Sequence, residues 1–199
     1  MDNRLSPTLA ASLWRGDGAL PLLRAAALAF AGTIALTLAA KTKFPFYPVP
    51  MTLQSMVVLM IGAAYGLRLG AATLMLYIGE GLAGLPVFAG VGAGPAYMAG
   101  VTGGYLAGFL AAATIIGFLV ERGWARSWPS LLGAMLFGQA AIYALGLSWF
   151  AALLGWEKAI AGGLAPFYLA DSFKTLLACA LVSAAWKGVM RLRGDSQKP

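Results

Sequence analysis

Two oppositely charged residues, Asp171 and Lys174, lie three positions apart within the largely apolar stretch YLADSFKTLL. Residues at this spacing share one face of a helix, so a carboxylate acceptor and an ammonium donor would lie a few ångströms apart. Ionisable groups inside a membrane segment are costly and are functional candidates by default. We expect this pair to bind a ligand that carries both N–H donors and a carbonyl group. The alternative is a structural or interfacial ion pair.

Two more polar side chains, Gln54 and Glu80, stand at apolar positions. Gln54 follows the proline-rich sequence PFYPVPMTL; its amide offers donors and an acceptor to a ligand, or it caps the helix that follows. Glu80 is a lone acid in an apolar helix. It is a second binding candidate, and the alternatives are an ion pair with Lys41, Lys43 or Lys174 and a position near the outer membrane interface.

The segment GLPVFAGVGAGPAYMAGVTGGY, residues 84–105, contributes four further candidates. Gly92 and Gly103 would let backbone approach a ligand closely, and Tyr97 and Tyr105 would form a pocket wall. The alternatives are a flexible connection and a belt of aromatic residues at the membrane surface. The glycine spacing within this segment does not match G-x-G-x-x-G, and the P-loop pattern G-x-x-x-x-G-K-[ST] does not occur in the chain. ATP-driven transport would therefore need a separate ATPase subunit.

The composition places the chain in a lipid bilayer. Of its 199 residues, 60% are apolar and 11% charged, and the mean hydropathy is +0.80, whereas soluble domains are about half apolar and a quarter charged. The chain has no histidine and a single cysteine, Cys179. We therefore expect no metal site, no cofactor, no catalytic residue and no enzyme. The net charge of +7 is dispersed, which argues against a nucleic-acid partner.

The apolar runs predict a single all-α integral membrane domain over residues 1–199, a bundle of six transmembrane helices. A spanning helix needs about 20 mostly apolar residues, and the second and third predicted helices are short for a full crossing. A tight turn, GLRLG at residues 66–70, separates these two. The predicted helices cover residues 22–40, 52–65, 70–85, 105–120, 129–154 and 166–189.

The distribution of basic residues predicts the orientation of the bundle. With six crossings, ten Lys and Arg side chains fall on the side of the two termini and four on the other side. Because cytoplasmic loops collect Lys and Arg, we expect both termini to be cytoplasmic. Residues 1–20 would form a cytoplasmic N-terminal segment and residues 190–199 a cytoplasmic tail.

A ladder of small residues runs along the first predicted helix. Its members recur every four positions and so share one face; they are Ala27, Ala31, Ala35 and Ala39. Small residues let another helix approach closely within a membrane. The ladder predicts either a docking face for a second membrane subunit or packing within the chain itself.

Four segments together resemble the BioY family, the biotin-specific S component of energy-coupling factor (ECF) transporters. They occur in the family order and span the chain from the first helix to the last. In this sequence they read PVPMTLQ at 48–54, GLPVFAG at 84–90, TGGYLAGF at 102–109 and DSFK at 171–174.

The resemblance implies a six-helix S-component fold in the prokaryotic cell membrane that binds biotin from the outside. It implies uptake powered by a transmembrane T component and two ATPase subunits, and it leaves a homo-oligomer open. Asp171 and Lys174 match family positions that contact biotin, Gln54 matches the glutamine after the PVP turn, and the alanine ladder resembles the docking face for the T component. The proline-rich segment before Gln54 would form a rigid lid or wall. The alternatives are an S component for another small vitamin and a structural membrane assembly protein.

Overall fold

The computed structural model describes residues 8–10, 21–44 and 51–195. Of the predicted N-terminal segment only residues 8–10 are described, and of the predicted tail only residues 190–195. The proline-rich residues 45–50, expected to form a lid, lie outside the described part of the chain.

Apart from the loops, the described residues form helices and one short β-ribbon. The ribbon pairs β1 (Lys43–Phe44) with β2 (Met51–Thr52) in antiparallel register. The helices are α1 (Pro21–Lys41), α2 (Gln54–Leu82), α3 (Gly94–Ala99), α4 (Gly103–Leu119), α5 (Trp128–Leu154), α6 (Trp156–Gly163) and α7 (Tyr168–Asp195), with a π-helical turn (Val120–Trp124) after α4.

Five of the described helices are long and apolar enough to cross a membrane: α1, α2, α4, α5 and α7. Helix α4 is the most deeply buried of the five and packs between α2 and α5, whereas α7 contacts α2 and α5, and α1 contacts α2. Glycines let α4 approach its neighbours closely. A Cβ atom added at Gly108 would lie 2.8 Å from the Cα atom of Ile142, and one added at Gly62 would lie 3.0 Å from that of Ala113.

Helix α2 reverses its direction at Gly66. This residue has φ 79° and ψ −173°, a conformation that glycine adopts at no steric cost. The two arms of α2 lie side by side, as shown by a 2.8 Å hydrogen bond that Gln54 in the first arm donates to the hydroxyl group of Tyr77 in the second. The carboxylate of Glu121 accepts from the backbone N–H of Leu67 at 2.9 Å, which satisfies a donor at the start of the second arm.

The predicted helices differ from the observed ones in the length of one turn, the end of the last helix and two short helices. The turn predicted at residues 66–70 is wrong in length, because one glycine with positive φ suffices and the helix resumes at Leu67. Helix α7 continues to Asp195 rather than ending at 189, since a helical backbone persists beyond the apolar run that hydropathy detects. The short helices α3 and α6 were not predicted, because runs of six and eight residues carry little periodicity.

The connections between helices gather at two opposite ends of the bundle. At one end the Gly66 turn lies against the π-helical turn, where Glu121 binds Leu67. At the other end Lys41, at the end of α1, binds the segment between α2 and α3, and Trp149, near the end of α5, binds Gly100. The glycine-rich segment between α2 and α4 therefore lies at this second end, beside the ends of α1 and α5.

Candidate functional site

A cavity opens at the second end of the bundle, between α2, α4, α5 and α7. It contains about 600 Å³ of empty space, counting its open mouth. Most of the polar side chains lie along α2, α5 and α7, and the aromatic ones come mainly from α3, α4 and the residue before α7. The lining residues are Met51, Thr52, Gln54, Ser55, Ala89, Tyr97, Thr102, Tyr105, Leu106, Phe109, Ile142, Tyr143, Gly163, Phe167, Asp171 and Lys174.

An ion pair between Asp171 and Lys174 forms part of the cavity wall. Both residues lie in the first two turns of α7, and the Nζ atom of Lys174 is 2.5 Å from the Oδ1 atom of Asp171. Asp171 is 7% exposed and Lys174 is 8% exposed. Charges buried to this degree need partners, and the surrounding helices supply them.

Asp171 accepts hydrogen bonds from two other helices. The Ser55 hydroxyl of α2 donates to Oδ1 at 3.1 Å. From α5, the Tyr143 hydroxyl donates to Oδ2 at 2.6 Å and the Gln139 amide donates to the same oxygen at 3.5 Å. Asp171 therefore joins α2, α5 and α7 around one carboxylate.

Lys174 has a complete set of acceptors as well. Its ammonium group donates to the carbonyl oxygen of Thr52 at 2.9 Å and to the hydroxyl oxygen of Ser55 at 3.1 Å, besides its contact with Asp171. An ammonium group has three N–H donors, so these partners use all of them. Lys174 thereby holds the start of α2 against α7.

Gln54 presents a partly unused amide to the cavity. Its Nε2 atom donates to the Tyr77 hydroxyl at 2.8 Å, and its Oε1 atom accepts from the Thr52 hydroxyl at 3.2 Å. The Tyr77 hydroxyl in turn donates to the carbonyl oxygen of Val87 at 2.8 Å. Since an amide can make four hydrogen bonds, one donor and one acceptor of Gln54 are still available beyond these two contacts.

Aromatic side chains form the apolar part of the cavity. The ring of Tyr97 stacks on Phe88 with centroids 5.0 Å apart, and the Tyr105 hydroxyl donates to the carbonyl oxygen of Gly163 at 3.0 Å. Burial raises the pKa of Tyr97, and hydrogen bonds with Thr102 and with the Ala89 backbone offset part of that rise. The phenol of Tyr97 is thus neutral at ordinary pH.

Side chains at the helix ends bind two segments that lie next to lining residues of the cavity. The ammonium group of Lys41 donates to the carbonyl oxygens of Phe88 at 2.9 Å and Gly90 at 2.6 Å, and also to that of Pro86. The indole N–H of Trp149 donates to the carbonyl oxygen of Gly100 at 2.9 Å. Three peptide carbonyls around one cation give the glycine-rich segment a defined path past the cavity.

The structure brings five of the eight predicted binding residues to the cavity lining: Gln54, Tyr97, Tyr105, Asp171 and Lys174. The other three, Gly92, Gly103 and Glu80, do not line it. Glycine at position 92 leaves room for Tyr97, because a Cβ atom there would lie 2.2 Å from the tyrosine ring. Glycine at position 103 allows a close backbone contact, since its Cβ atom would lie 1.8 Å from the carbonyl oxygen of Met98.

Glu80 lies at the contact between α2 and α1, where it accepts a 3.2 Å hydrogen bond from the Thr33 hydroxyl. Of the ion-pair partners considered for it, Lys41 binds the glycine-rich segment and Lys174 binds Asp171. On the alanine ladder of α1, three members are exposed and the fourth is buried: Ala27, Ala31 and Ala35 face outward, whereas Ala39 is 6% exposed.

Sequence reasoning missed Tyr143 and Gln139. They lie four positions apart on α5, so they share a face, and both donate to Asp171. A polar pair at this spacing in an otherwise apolar helix was the available signal. Lys41 was missed as a tie for the glycine-rich segment, because that role depends on the path of a loop.

The chemistry of the cavity is that of binding. Its lining provides a hydrogen-bonded ion pair, an amide and phenols beside an apolar wall, and it contains neither histidine nor cysteine. Within the residues that the structure describes, no three His, Cys, Asp or Glu side chains come together as metal ligands. A small molecule with an apolar body and a polar head suits such a lining.

Long apolar helices around a cavity with a buried ion pair define a multi-pass membrane protein with a cavity suited to a small molecule. The sequence model of the BioY family matches residues 8–191. The chain belongs to the BioY family. It is accordingly a multi-pass protein of the prokaryotic cell membrane, and its relatives are named as transporters rather than as enzymes.

Comparisons with individual proteins agree with this family. The chain is 37% identical over 149 residues to a "Probable biotin transporter BioY" from Pyrococcus horikoshii, covering 75% of this chain and 83% of the relative. It is 34% identical over 164 residues to a "Biotin transporter BioY" from Rhizobium etli, covering 78% and 87%.

The fold is shared with a solved structure, the crystal structure at 2.1 Å of the S-component for biotin from an ECF-type ABC transporter. The TM-score is 0.77 at 24% sequence identity, and the match covers 86% of this chain and 95% of the other. The likeness shows that the helices are arranged as in an S component.

Proposed function

We propose that the chain binds biotin in this cavity and mediates its uptake as the substrate-binding S component of an ECF transporter. The observation that carries the proposal is the buried pair of Asp171 and Lys174 in the cavity wall of a BioY-family chain. The names of the two relatives, both biotin transporters, support the choice of ligand.

The chemistry of biotin fits the two kinds of surface in the cavity. Its ureido group has two N–H donors and one carbonyl acceptor, its fused rings are apolar, and its tail ends in a carboxylate. The cluster around Asp171 and the amide of Gln54 provide acceptors and a donor for the ureido group. The rings of Tyr97 and Tyr105 line the same cavity and would cover the apolar rings of the ligand.

The proposal includes an orientation in the membrane. The two arms of α2 count as separate crossings, which gives six crossings with α1, α4, α5 and α7, and both termini are cytoplasmic. The basic residues support this orientation, since ten lie on the side of the termini and four on the other. The cavity mouth then faces the outside, where biotin is collected.

Energy for uptake would come from partner subunits, a transmembrane T component and two ATPase subunits. The chain lacks a P-loop sequence of its own. Ala27, Ala31 and Ala35 are exposed on one face of α1, and small side chains allow close helix contact within a membrane. We assign this face to docking of the T component.

The test is ligand-induced stabilisation of the purified protein in detergent. Thermal unfolding midpoints are measured with and without biotin for the wild type, for Asp171→Asn/Lys174→Ala, and for Lys187→Ala as a control at an exposed position of α7. Biotin at 100 times its dissociation constant should stabilise the wild type and the control by about 2.7 kcal/mol and leave the double variant unchanged. A shift in all three would move the site elsewhere, and no shift in the wild type would refute biotin as ligand.

A further inference from the structure

An open, apolar groove lies at the end of the bundle that carries the Gly66 turn. It contains about 740 Å³ of empty space, counting its open side. Its walls come from α4, α5, the π-helical turn and the second arm of α2. The lining includes Leu67, Thr114, Ile115, Phe118, Trp124 and Phe137.

Aromatic rings form much of the wall of this apolar groove. The indole of Trp124 lies against α5, where a Cβ atom added at Gly133 would lie 3.2 Å from the ring. The rings of Trp124 and Phe137 meet edge to face, with centroids 6.1 Å apart. Both Phe137 and Phe118 are exposed. Within a membrane, such an exposed apolar surface is covered either by lipid or by a helix of another subunit.

The apolar groove extends from the end of α4 towards the middle of the membrane. Tryptophan is enriched at membrane surfaces, and Trp124 closes the π-helical turn at which α4 ends. From Val120 back to Thr114, α4 rises about 9 Å, at about 1.5 Å per residue. One leaflet supplies about half of a hydrocarbon core that is about 30 Å thick. The apolar groove can therefore follow more than half of an acyl chain.

The size of the lining side chains favours a lipid over a helix. Contacts between helices within a membrane are enriched in small residues that let the backbones approach. The apolar groove is lined instead by large side chains, among them Ile115, Phe118 and Phe137. A flexible acyl chain can fill the space between such side chains, whereas a rigid helix cannot approach closely.

Arginine side chains lie at the surface end of the apolar groove. The Cζ atom of Arg122 lies 3.4 Å from the centre of the Phe118 ring. Arg122 is exposed, and stacking through the flat face of a guanidinium leaves the N–H groups at its edge for an acceptor. Arg68 follows the lining residue Leu67 in the sequence, and Arg126 is a third exposed arginine at this end.

One acidic residue lies in the same region. The carboxylate of Glu121 accepts a hydrogen bond from the backbone N–H of Leu67 at 2.9 Å, so it is directed at the Gly66 turn. Three arginines and this glutamate give the segments 66–70 and 120–127 a net charge of +2. An apolar groove with a basic outer end is complementary to a molecule with an apolar chain and an anionic head.

From these observations we propose that the apolar groove binds an anionic phospholipid, with an acyl chain along α4 and the head-group phosphate on Arg122. A guanidinium can donate two parallel hydrogen bonds to a phosphate. The site shares no lining residue with the cavity proposed for biotin, and none of its lining residues belongs to α1, which carries the alanine ladder. The proposed orientation places this lipid in the cytoplasmic leaflet, but the binding itself depends neither on that orientation nor on biotin.

The test is quenching of tryptophan fluorescence by lipids with brominated acyl chains. Bromine quenches only at close range, and Trp124 lines the apolar groove. The protein is reconstituted into phosphatidylcholine vesicles that contain the same fraction of brominated phosphatidylglycerol or of brominated phosphatidylcholine. The difference between the wild type and Trp124→Phe gives the quenching at Trp124.

We expect phosphatidylglycerol to bind next to Trp124 about fivefold more strongly than phosphatidylcholine, the factor for one arginine near an anionic lipid. Equal quenching by the two lipids would overturn the inference, because lipid would then fill the groove without regard to its head group.

Two variants separate the head-group contact from the acyl-chain contact. Arg122→Gln should abolish the preference for phosphatidylglycerol. The matched control Arg191→Gln, at an exposed position of α7 outside the groove, should retain it. Loss of the preference in both variants, or in neither, contradicts the role of Arg122. Ile115→Phe fills part of the groove and should reduce quenching at Trp124 by both lipids; unchanged quenching would mean that no acyl chain enters.

A measurement on the wild type protects the test against a folding defect of the variants. The Debye length falls from about 10 Å at 0.1 M salt to about 3 Å at 1 M, so the preference for phosphatidylglycerol should decrease over this range. A preference that does not change with salt would refute the contact between phosphate and arginine. None of these measurements uses biotin, so a protein that fails to bind biotin can still show the lipid preference, and the two proposals fail separately.

Discussion

Replacing Lys174 by methionine removes the positive charge of the cavity wall while nearly preserving side-chain length. Three acceptors each lose the hydrogen bond from Lys174: the Asp171 carboxylate, the Ser55 hydroxyl and the Thr52 carbonyl group. Asp171 then remains as a buried charge with no countercharge, although Ser55, Tyr143 and Gln139 still donate to it.

The size of the effect follows from burial. Removing one partner of a buried ion pair costs about 3–5 kcal/mol, whereas replacing both partners is often close to neutral. Because three donors to Asp171 remain, we expect Lys174→Met to cost about 3 kcal/mol, the lower end of that range. Asp171→Asn/Lys174→Met removes both charges, and we expect it to be about 1–2 kcal/mol more stable than Lys174→Met alone.

The assay is unfolding of the detergent-solubilised, ligand-free protein, followed by circular dichroism. Lys187→Met is the matched control, since it makes the same substitution at an exposed position on the same helix. The reasoning fails if Lys174→Met is no more destabilised than Lys187→Met. It also fails if the double variant loses the sum of the two single losses, because the two charges would then not stabilise each other.

Three further predictions concern the helix contacts, the mouth of the cavity and the outer face of α1. Gly117→Ala should cost about 1–3 kcal/mol by overpacking, because its Cβ atom would lie 2.4 Å from backbone atoms of a neighbouring helix, whereas Gly79→Ala meets nothing within 4 Å and should be neutral or stabilising in the same unfolding assay. Lys41→Met should speed biotin dissociation about tenfold in a stopped-flow chase, because three carbonyls lose their donor; an unchanged dissociation rate would show that the glycine-rich segment does not retain the ligand. Ala31→Leu should reduce co-purification with co-expressed T and ATPase subunits without changing biotin affinity; equal loss with Ala26→Leu, an exposed position on a different face, would argue against the ladder as the docking face.

Helical spacing made part of the site predictable from the sequence. Asp171 and Lys174 were expected on one helix face from their i, i+3 spacing, and in the structure the Nζ atom of Lys174 lies 2.5 Å from the Oδ1 atom of Asp171. Gln54 was a candidate because it follows the proline-rich segment at the start of a predicted helix, and the structure places it in the cavity lining. Local rules suffice in these cases because each residue is positioned by its own helix.

The remainder depends on contacts between distant parts of the chain. Tyr143 looked like any aromatic residue of an apolar helix, because only the docking of α7 on α5 brings Asp171 within 2.6 Å of it. Glu80 looked equally suited to the site, but the rotation of the second arm of α2 turns it towards Thr33 on α1. Helix spacing alone does not fix these rotations about the helix axis.

Because α2 reverses at Gly66, the pairing of Gln54 with Tyr77 depends on the number of residues in each arm. Gln54 and Tyr77 meet because the two arms run back along each other from one residue. Each residue of an α-helix advances the side chains by about 100° around the axis. A single insertion between Gly66 and either partner would rotate that partner out of phase and break the contact that aims Gln54 at the cavity. Related chains that preserve this pairing should therefore vary in sequence between Gln54 and Tyr77 but keep their number of residues.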